Sequence, residues 1–387
     1  MPDDAALAAE LARLRRRRGV KWRRYGPDVL AAWVADMDLE PPPAVVAALG
    51  EVLAAGDLGY PDLHASPLVG LVVERMAARH GWRPDPDLVL PLTDVMQGVL
   101  LAIETLTGPG DGVVVQTPIY PPFHRAVAAT GRRLDDHPLR VDPTGRAELD
   151  VDRLAAVVDP RTRMLLVCNP HNPTGRVLTR DELGALGRIA VERDLVVVSD
   201  EIHADLVHPG HRHVPMATLG PEVAARTFTL TSPTKAFNLA GTRVAVGIAG
   251  SRELADRLAA IPRHLLGAPG TFGLAAAEAA WGRSDAWLAD TMGLLTRHRD
   301  VVAAWARGRA GVVHAPPEAT YLAWLDLRAL ELPGGPFAFL LEHAGVALSD
   351  GAEFTAHGAG HVRLNFATSG PVLDAVLERI DGALDRI

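Results

Sequence analysis

The 387-residue chain holds one cysteine, Cys168, two lysines, Lys21 and Lys235, and four tyrosines. A single thiol excludes a disulfide framework within the chain and a cysteine-rich zinc site. No apolar run reaches the roughly 18 residues that a membrane-spanning helix needs. The start, MPDDAALAAELARLRRRR, has no apolar segment behind a basic one, which argues against a secretory leader. The expectation is a cytoplasmic protein without membrane contact. A net charge of −8 and a pI near 6.0 argue against whole-surface nucleic-acid binding. One basic cluster, Arg15 to Arg18 with Lys21, Arg23 and Arg24, is interleaved only with Trp22 and Tyr25. It reads as a solvated or subunit-contacting arm.

The scarcity of lysine is informative. Of 39 basic residues all but two are arginine, so simple positive charge is supplied by arginine here. A lysine deep in the chain then invites a role that arginine cannot fill. Arginine stays protonated and forms no Schiff base, whereas a lysine amine can form one.

A hydrophobic content of 48% against 22% charged residues fits a globular core, and the length suggests two domains. Apolar runs alternate with helical patterns, the signature of a layered α/β protein. Helices are expected over 43–55, 67–80, 95–107, 120–130 and 180–193, where Thr179 and Glu182 have capping-box spacing. Continuous apolar strands are expected at 113–115, 164–167, 195–198, 228–231 and 244–248; such runs suit a parallel sheet covered on both faces. Beyond a long helix near 286–309 the pattern changes to LAWLDL (322–327), a helix near 336–344, VRLNFA (362–367) and a terminal helix, a smaller α+β unit. The expected division is an arm over 1–42 packing with the small domain, a large domain over 43–285, and the small domain over 286–387.

Several attractive motifs fail. Gly108-Pro-Gly110-Asp-Gly112 lacks the spacing of a dinucleotide loop and follows a helix rather than a strand. Ser232-Pro-Thr-Lys235 matches the SxxK of serine β-lactamases, but the SDN and KTG elements are missing. His203, His208, His211 and His213 form no HExxH pattern, and no metal is expected.

Three polar clusters survive, each placed just after a candidate strand: Asn169-Pro-His-Asn172-Pro-Thr-Gly175, Asp200-Glu-Ile-His203, and Ser232 to Lys235 with Arg243 beyond. Open α/β sheets bind ligands at those carboxyl ends. The residue types suit pyridoxal 5′-phosphate. Its aldehyde needs the amine of a lysine, for which Lys235 is placed, and its ring nitrogen needs a buried acid such as Asp200. Asn172 can hydrogen-bond the ring hydroxyl, while Ser232 and Arg243 offer a hydroxyl and a cation to the phosphate.

These motifs resemble fold-type-I pyridoxal-phosphate enzymes of the aminotransferase class I/II superfamily. WVADMD (33–38), PIYPPF (118–123), CNPHNPTGR (168–176), SDEIHADLV (199–207) and KAFNLAG (235–241) more narrowly resemble its MalY/PatB group of cystathionine β-lyases and cysteine C–S lyases. The likeness runs from Trp33 to the VRLNFA strand. It implies a mostly parallel central sheet sandwiched by helices, with a smaller α+β domain. By the same resemblance Lys235 carries the cofactor, Asp200 pairs with its ring nitrogen, and Asn172 and His203 lie near its ring oxygen. Tyr120 stacks on the ring; the backbone at Val95 and Met96, with Ser232 and Arg243, holds the phosphate. Arg363 binds the α-carboxylate of a small amino-acid substrate, with Trp33 and Asn172 also on the substrate side. Tyr60 reaches the phosphate of a neighbouring subunit, which implies a homodimer.

The implied reaction is cleavage of the Cβ–S bond of cystathionine or an S-substituted L-cysteine, with Lys235 as base and Tyr120 or Lys235 protonating the leaving sulfur. An aminotransferase would use the same residues. A non-catalytic regulator on this fold would tolerate the loss of Lys235 or Asp200, and both are present. Asp94-Val-Met-Gln97 departs from the GVV stretch of the lyase group, and Arg243 is more typical of aminotransferases.

Overall fold

The computed structural model describes residues 4–262 and 266–386. Its centre is a seven-stranded sheet of β1 (Val89–Leu92), β2 (Gly112–Thr117), β3 (Arg133–Pro138), β4 (Thr162–Cys168), β5 (Val196–Asp200), β6 (Thr227–Thr231) and β7 (Ala245–Ala249), in the order β1-β7-β6-β5-β4-β2-β3. Only β7 runs against the rest.

The continuous apolar runs are explained by the two covered faces. Val113, Val115, Met164, Leu166 and Val198 point to one side, where they pack with Val99 and Ile103 of α4 (Val95–Leu106) and Phe123 of α5 (Pro121–Ala129). The alternate residues Val114, Leu165, Val167 and Val197 point to the other and meet Leu183, Leu186 and Ile189 of α6 (Arg180–Glu192). With side chains alternating every residue, a strand buried on both faces must be apolar throughout.

Helix starts follow local chemistry. In α6 both halves of the capping box form: Thr179 Oγ1 accepts from Glu182 N, and Glu182 Oε2 accepts from Thr179 N. In α4, Asp94 accepts from Gln97 N at 2.8 Å. Gly98 lets α4 lie close on the sheet, since a Cβ there would come within 2.3 Å of Leu230 Cδ2.

One strand escapes the apolar pattern: β3 is a polar edge strand, RLDDHP, in which only Asp135 and His137 are buried. The Thr162 hydroxyl donates to Asp135 at 2.8 Å, so the buried carboxylate is satisfied.

The last part of the chain begins with α8 (Asp285–Arg307), which follows α7 (Thr271–Arg283). It forms a three-stranded antiparallel sheet of β8 (Leu322–Asp326), β9 (Ser349–Asp350) and β10 (His361–Asn365), closed by α9 (Gly370–Leu384). The first helix, α1 (Asp4–Arg15), packs on α9. Leu30 and Ala31 pair in parallel with Val346 and Ala347. Helices α2 (Pro43–Ala55) and α3 (Leu68–His80) lie against α7. Among the described residues no helix is long and apolar enough to cross a membrane.

Candidate active site

Cys168 and Asp200 end neighbouring strands and face each other in register, and Asp200 in turn pairs with Leu230 of β6. The ladder continues past the strands, with Asn169 N donating to Asp200 O and Glu201 N to Leu230 O. Three strands therefore deliver their polar clusters to one edge. There a cavity of about 750 Å³ opens, lined by Val95, Met96, Tyr120, Asn172, Asp200, His203, Lys235 and Arg243 among others.

Lys235 is half-buried and reaches into it, where Nζ donates to Ala35 O at 2.9 Å. Burial pushes its amine below the usual lysine range, which favours the neutral, basic form. The carboxyl of Asp200 is raised to about 7, chiefly by burial; Ile202 N at 3.0 Å and the charge of Lys235 act in the opposite sense. Burial also raises the Tyr120 hydroxyl and lowers His203 to about 3, Lys235 and Arg363 adding to the latter. Both ring nitrogens of His203 are buried without a hydrogen-bond partner, although the ring lines the cavity. Such orphaned groups fit a polar ligand atom.

Arg363 sits one layer behind. Its Nη1 donates to Asn172 Oδ1 at 2.8 Å, and Nη2 donates to Ser349 Oγ at 3.0 Å and Trp33 O at 3.1 Å. All three acceptors are neutral, Nε has no partner, and burial lowers the guanidinium to about 10. A buried cation held only by neutral oxygens has capacity left for an anion.

The phosphate candidates divide. Val95 and Met96 open α4, whose first-turn N–H groups favour an anion. Arg243, in a left-handed conformation at φ 56°, pairs with Asp94 at the same helix end. Ser232 does not reach the cavity: its hydroxyl donates to Val244 O at 2.6 Å and contacts Thr234 Oγ1, and Thr234 is the residue that faces inward. The Trp33 indole is also directed elsewhere, Nε1 donating to Lys21 O at 3.0 Å; only its carbonyl meets Arg363. Tyr60 is fully exposed.

Sequence reading passed over Ala35, whose contribution is a carbonyl, together with Thr234, Tyr321 and Ser349. For Tyr321 the signal was available, since tyrosine is scarce in this chain. Two of the four histidines weighed for metal are bonded within the protein: His208 to Thr296 Oγ1 and Thr320 O, His213 to Glu201 Oε2. Among the described residues no group of three or more His, Cys, Asp and Glu could hold a metal ion. Burial pushes the Cys168 thiol well up, which disfavours the thiolate form.

A family model for aminotransferase class I and II matches residues 34–380. The chain belongs to this family. Among curated relatives, this class I/II chain is 35% identical to cystathionine beta-lyase PatB of Bacillus subtilis, over 94% of itself and 96% of that protein. It is 33% identical to cystathionine beta-lyase of Corynebacterium glutamicum, over 97% and 99%. Among solved structures, cystalysin from Treponema denticola, which contains pyridoxal 5′-phosphate, superposes with a TM-score of 0.91 at 29% identity, covering 96% of this chain and 97% of that one.

Proposed function

We propose that this class I/II family member is a pyridoxal-phosphate-dependent carbon–sulfur β-lyase. It takes cystathionine or an S-substituted L-cysteine and, with one water, releases a thiol, pyruvate and ammonia. The observation that carries the reading is a half-buried lysine and a buried carboxylate lining one cavity, with a buried guanidinium that lacks an acidic partner directly behind its wall at Asn172. Full-length likeness to two cystathionine β-lyases supports the lyase outcome over transamination.

When bound, the cofactor supplies an electrophilic aldehyde and a protonated ring that draws electrons from the substrate Cα. The orphaned His203 nitrogens and the uncompensated Asp200 carboxylate suit its ring oxygen and ring nitrogen. In this reading Asp200 ionises against the ring N–H and holds the proton there, its raised pKa falling back once a cation faces it. The first turn of α4 and Arg243 would hold the cofactor's phosphate, and Tyr120 would pack against its ring. Arg363 binds the α-carboxylate, and this orients the Cα–H bond toward Lys235 Nζ. The neutral amine of Lys235 takes the Cα proton. Tyr120 or the protonated Lys235 then delivers a proton to the departing sulfur.

The same reading takes residues 43–285 as the cofactor-binding domain, and 286–387 with the arm 1–42 as the smaller domain. It also takes the active form as a homodimer. Tyr60 stands fully exposed near the exposed apolar Leu53 and Leu58, the composition of a covered face. The direct test is to supply cystathionine and several S-substituted cysteines without any keto acid. Equal amounts of thiol, pyruvate and ammonia are expected; turnover that depends on an added keto acid would identify an aminotransferase instead.

A further inference from the structure

The backbone of residues 33–36 is gripped by side chains at every carbonyl. Trp33 O accepts from Ser349 Oγ at 2.7 Å and from Arg363 Nη2. Asn365 Nδ2 donates to Val34 O and Asp36 O, at 2.6 and 2.7 Å, and Lys21 Nζ adds a bond to Asp36 O at 3.0 Å. Ala35 O differs in one respect: its two donors are the cavity amine, Lys235 Nζ at 2.9 Å, and a residue outside the cavity, Tyr321 OH, also at 2.9 Å.

Tyr321 is only 1% exposed and precedes β8, where its own carbonyl accepts from Phe366 N at 3.0 Å. Its ring and backbone are therefore fixed, and its hydroxyl has one evident use. A carbonyl oxygen has two lone pairs. With the hydroxyl on one of them, the amine is confined to the other.

We propose that Tyr321 is a positioning residue for Lys235: its hydroxyl occupies one lone pair of Ala35 O, fixes where the free amine rests, and weakens that carbonyl as a competitor for the amine. This rests on the reading of Lys235 as the base. The hydroxyl places the positive end of its dipole on Ala35 O, so the oxygen attracts an ammonium less strongly. Removing it leaves Ala35 O wholly to Lys235, which favours the protonated form and loosens its direction. The charged and titratable groups that face this pair are Asp36, Asp200, His203, Arg363 and Tyr120, all unchanged by a substitution at 321.

The test uses the holoenzyme carrying Tyr321→Phe, which keeps the ring, beside Ser349→Ala, which takes a donor from Trp33 O and an acceptor from Arg363. For Tyr321→Phe, kcat is expected to fall about ten-fold or more while KM stays within about two-fold, as for a misdirected base. The acidic limb of its kcat–pH profile should move to higher pH. Ser349→Ala should mainly raise KM. Site-specific 3-fluorotyrosine at 321 is a stronger donor of the same shape, and it should move the acidic limb down; it also serves if the phenylalanine variant does not fold. Wild-type kcat and an unshifted limb in Tyr321→Phe, or an unshifted limb with fluorotyrosine, would overturn the proposal. A wild-type protein that takes up no pyridoxal phosphate would instead remove the reading beneath it.

Discussion

Arg363 Nη1 donates to Asn172 Oδ1 at 2.8 Å, which ties the central strand of the small sheet to the loop that leaves β4. The bond consumes the amide oxygen of Asn172 and turns its NH₂ group outward as the available donor. The same guanidinium is thereby fixed in place before any anion arrives, so little ordering remains to be done on binding.

Arg363→Ala should therefore act on substrate binding. Losing two charge-assisted hydrogen bonds to a carboxylate costs about 3 kcal/mol, or roughly 100-fold in KM. Cofactor absorbance should persist. Steady-state kinetics at saturating cofactor check this, and an unchanged KM would remove Arg363 from the substrate site.

Asp200 gives a pH signature in the cofactor-free protein. Its carboxyl is raised from 3.8 to about 7 by burial, so its contribution to stability is present below pH 4 and is lost as pH rises through 7. Asp200→Asn removes the group that must ionise. Thermal melts of the two cofactor-free proteins should coincide near pH 4 and diverge by pH 8, with the variant more stable by an amount of the order of 4 kcal/mol. Cofactor should close the gap by giving the carboxylate a cation. A wild-type protein that gains stability relative to the variant as pH rises would contradict this.

The strand ends carrying Asn172, Asp200 and Lys235 were legible because a doubly covered strand must be apolar, and the polar residue that follows stands out. β3 was not legible, because its burial is confined to Asp135 and His137 and its hydrogen-bonding partner Thr162 is distant in sequence. Side-chain direction was the other blind point. Ser232 reads as a phosphate ligand from its position before Lys235, yet its hydroxyl is taken by Val244 O, twelve residues on. Ala35 and Tyr321 were hidden for a related reason: a carbonyl leaves no mark in sequence, and the phenol that binds it lies 286 residues away.

The dimer reading has a complementation test. Each site would take Lys235 from one chain and Tyr60 from the other. Lys235→Ala and Tyr60→Ala homodimers should both be impaired, whereas a mixed dimer assembles one intact site and should recover about half the wild-type activity. Mixing that yields no more than the average of the two parents would place Tyr60 outside the neighbouring site.

The central claim is that Lys235 is the amine that carries the cofactor, and one measurement reaches it without any assumption about substrate. The protein loaded with pyridoxal phosphate is reduced with borohydride, digested, and the modified peptide identified by mass. Only one other lysine competes, Lys21, and it is buried in an ion pair with Asp38 at 2.9 Å. The expected result is one adduct per chain, on Lys235, and none in Lys235→Ala. An adduct on Lys21, or one that survives in Lys235→Ala, would contradict the assignment.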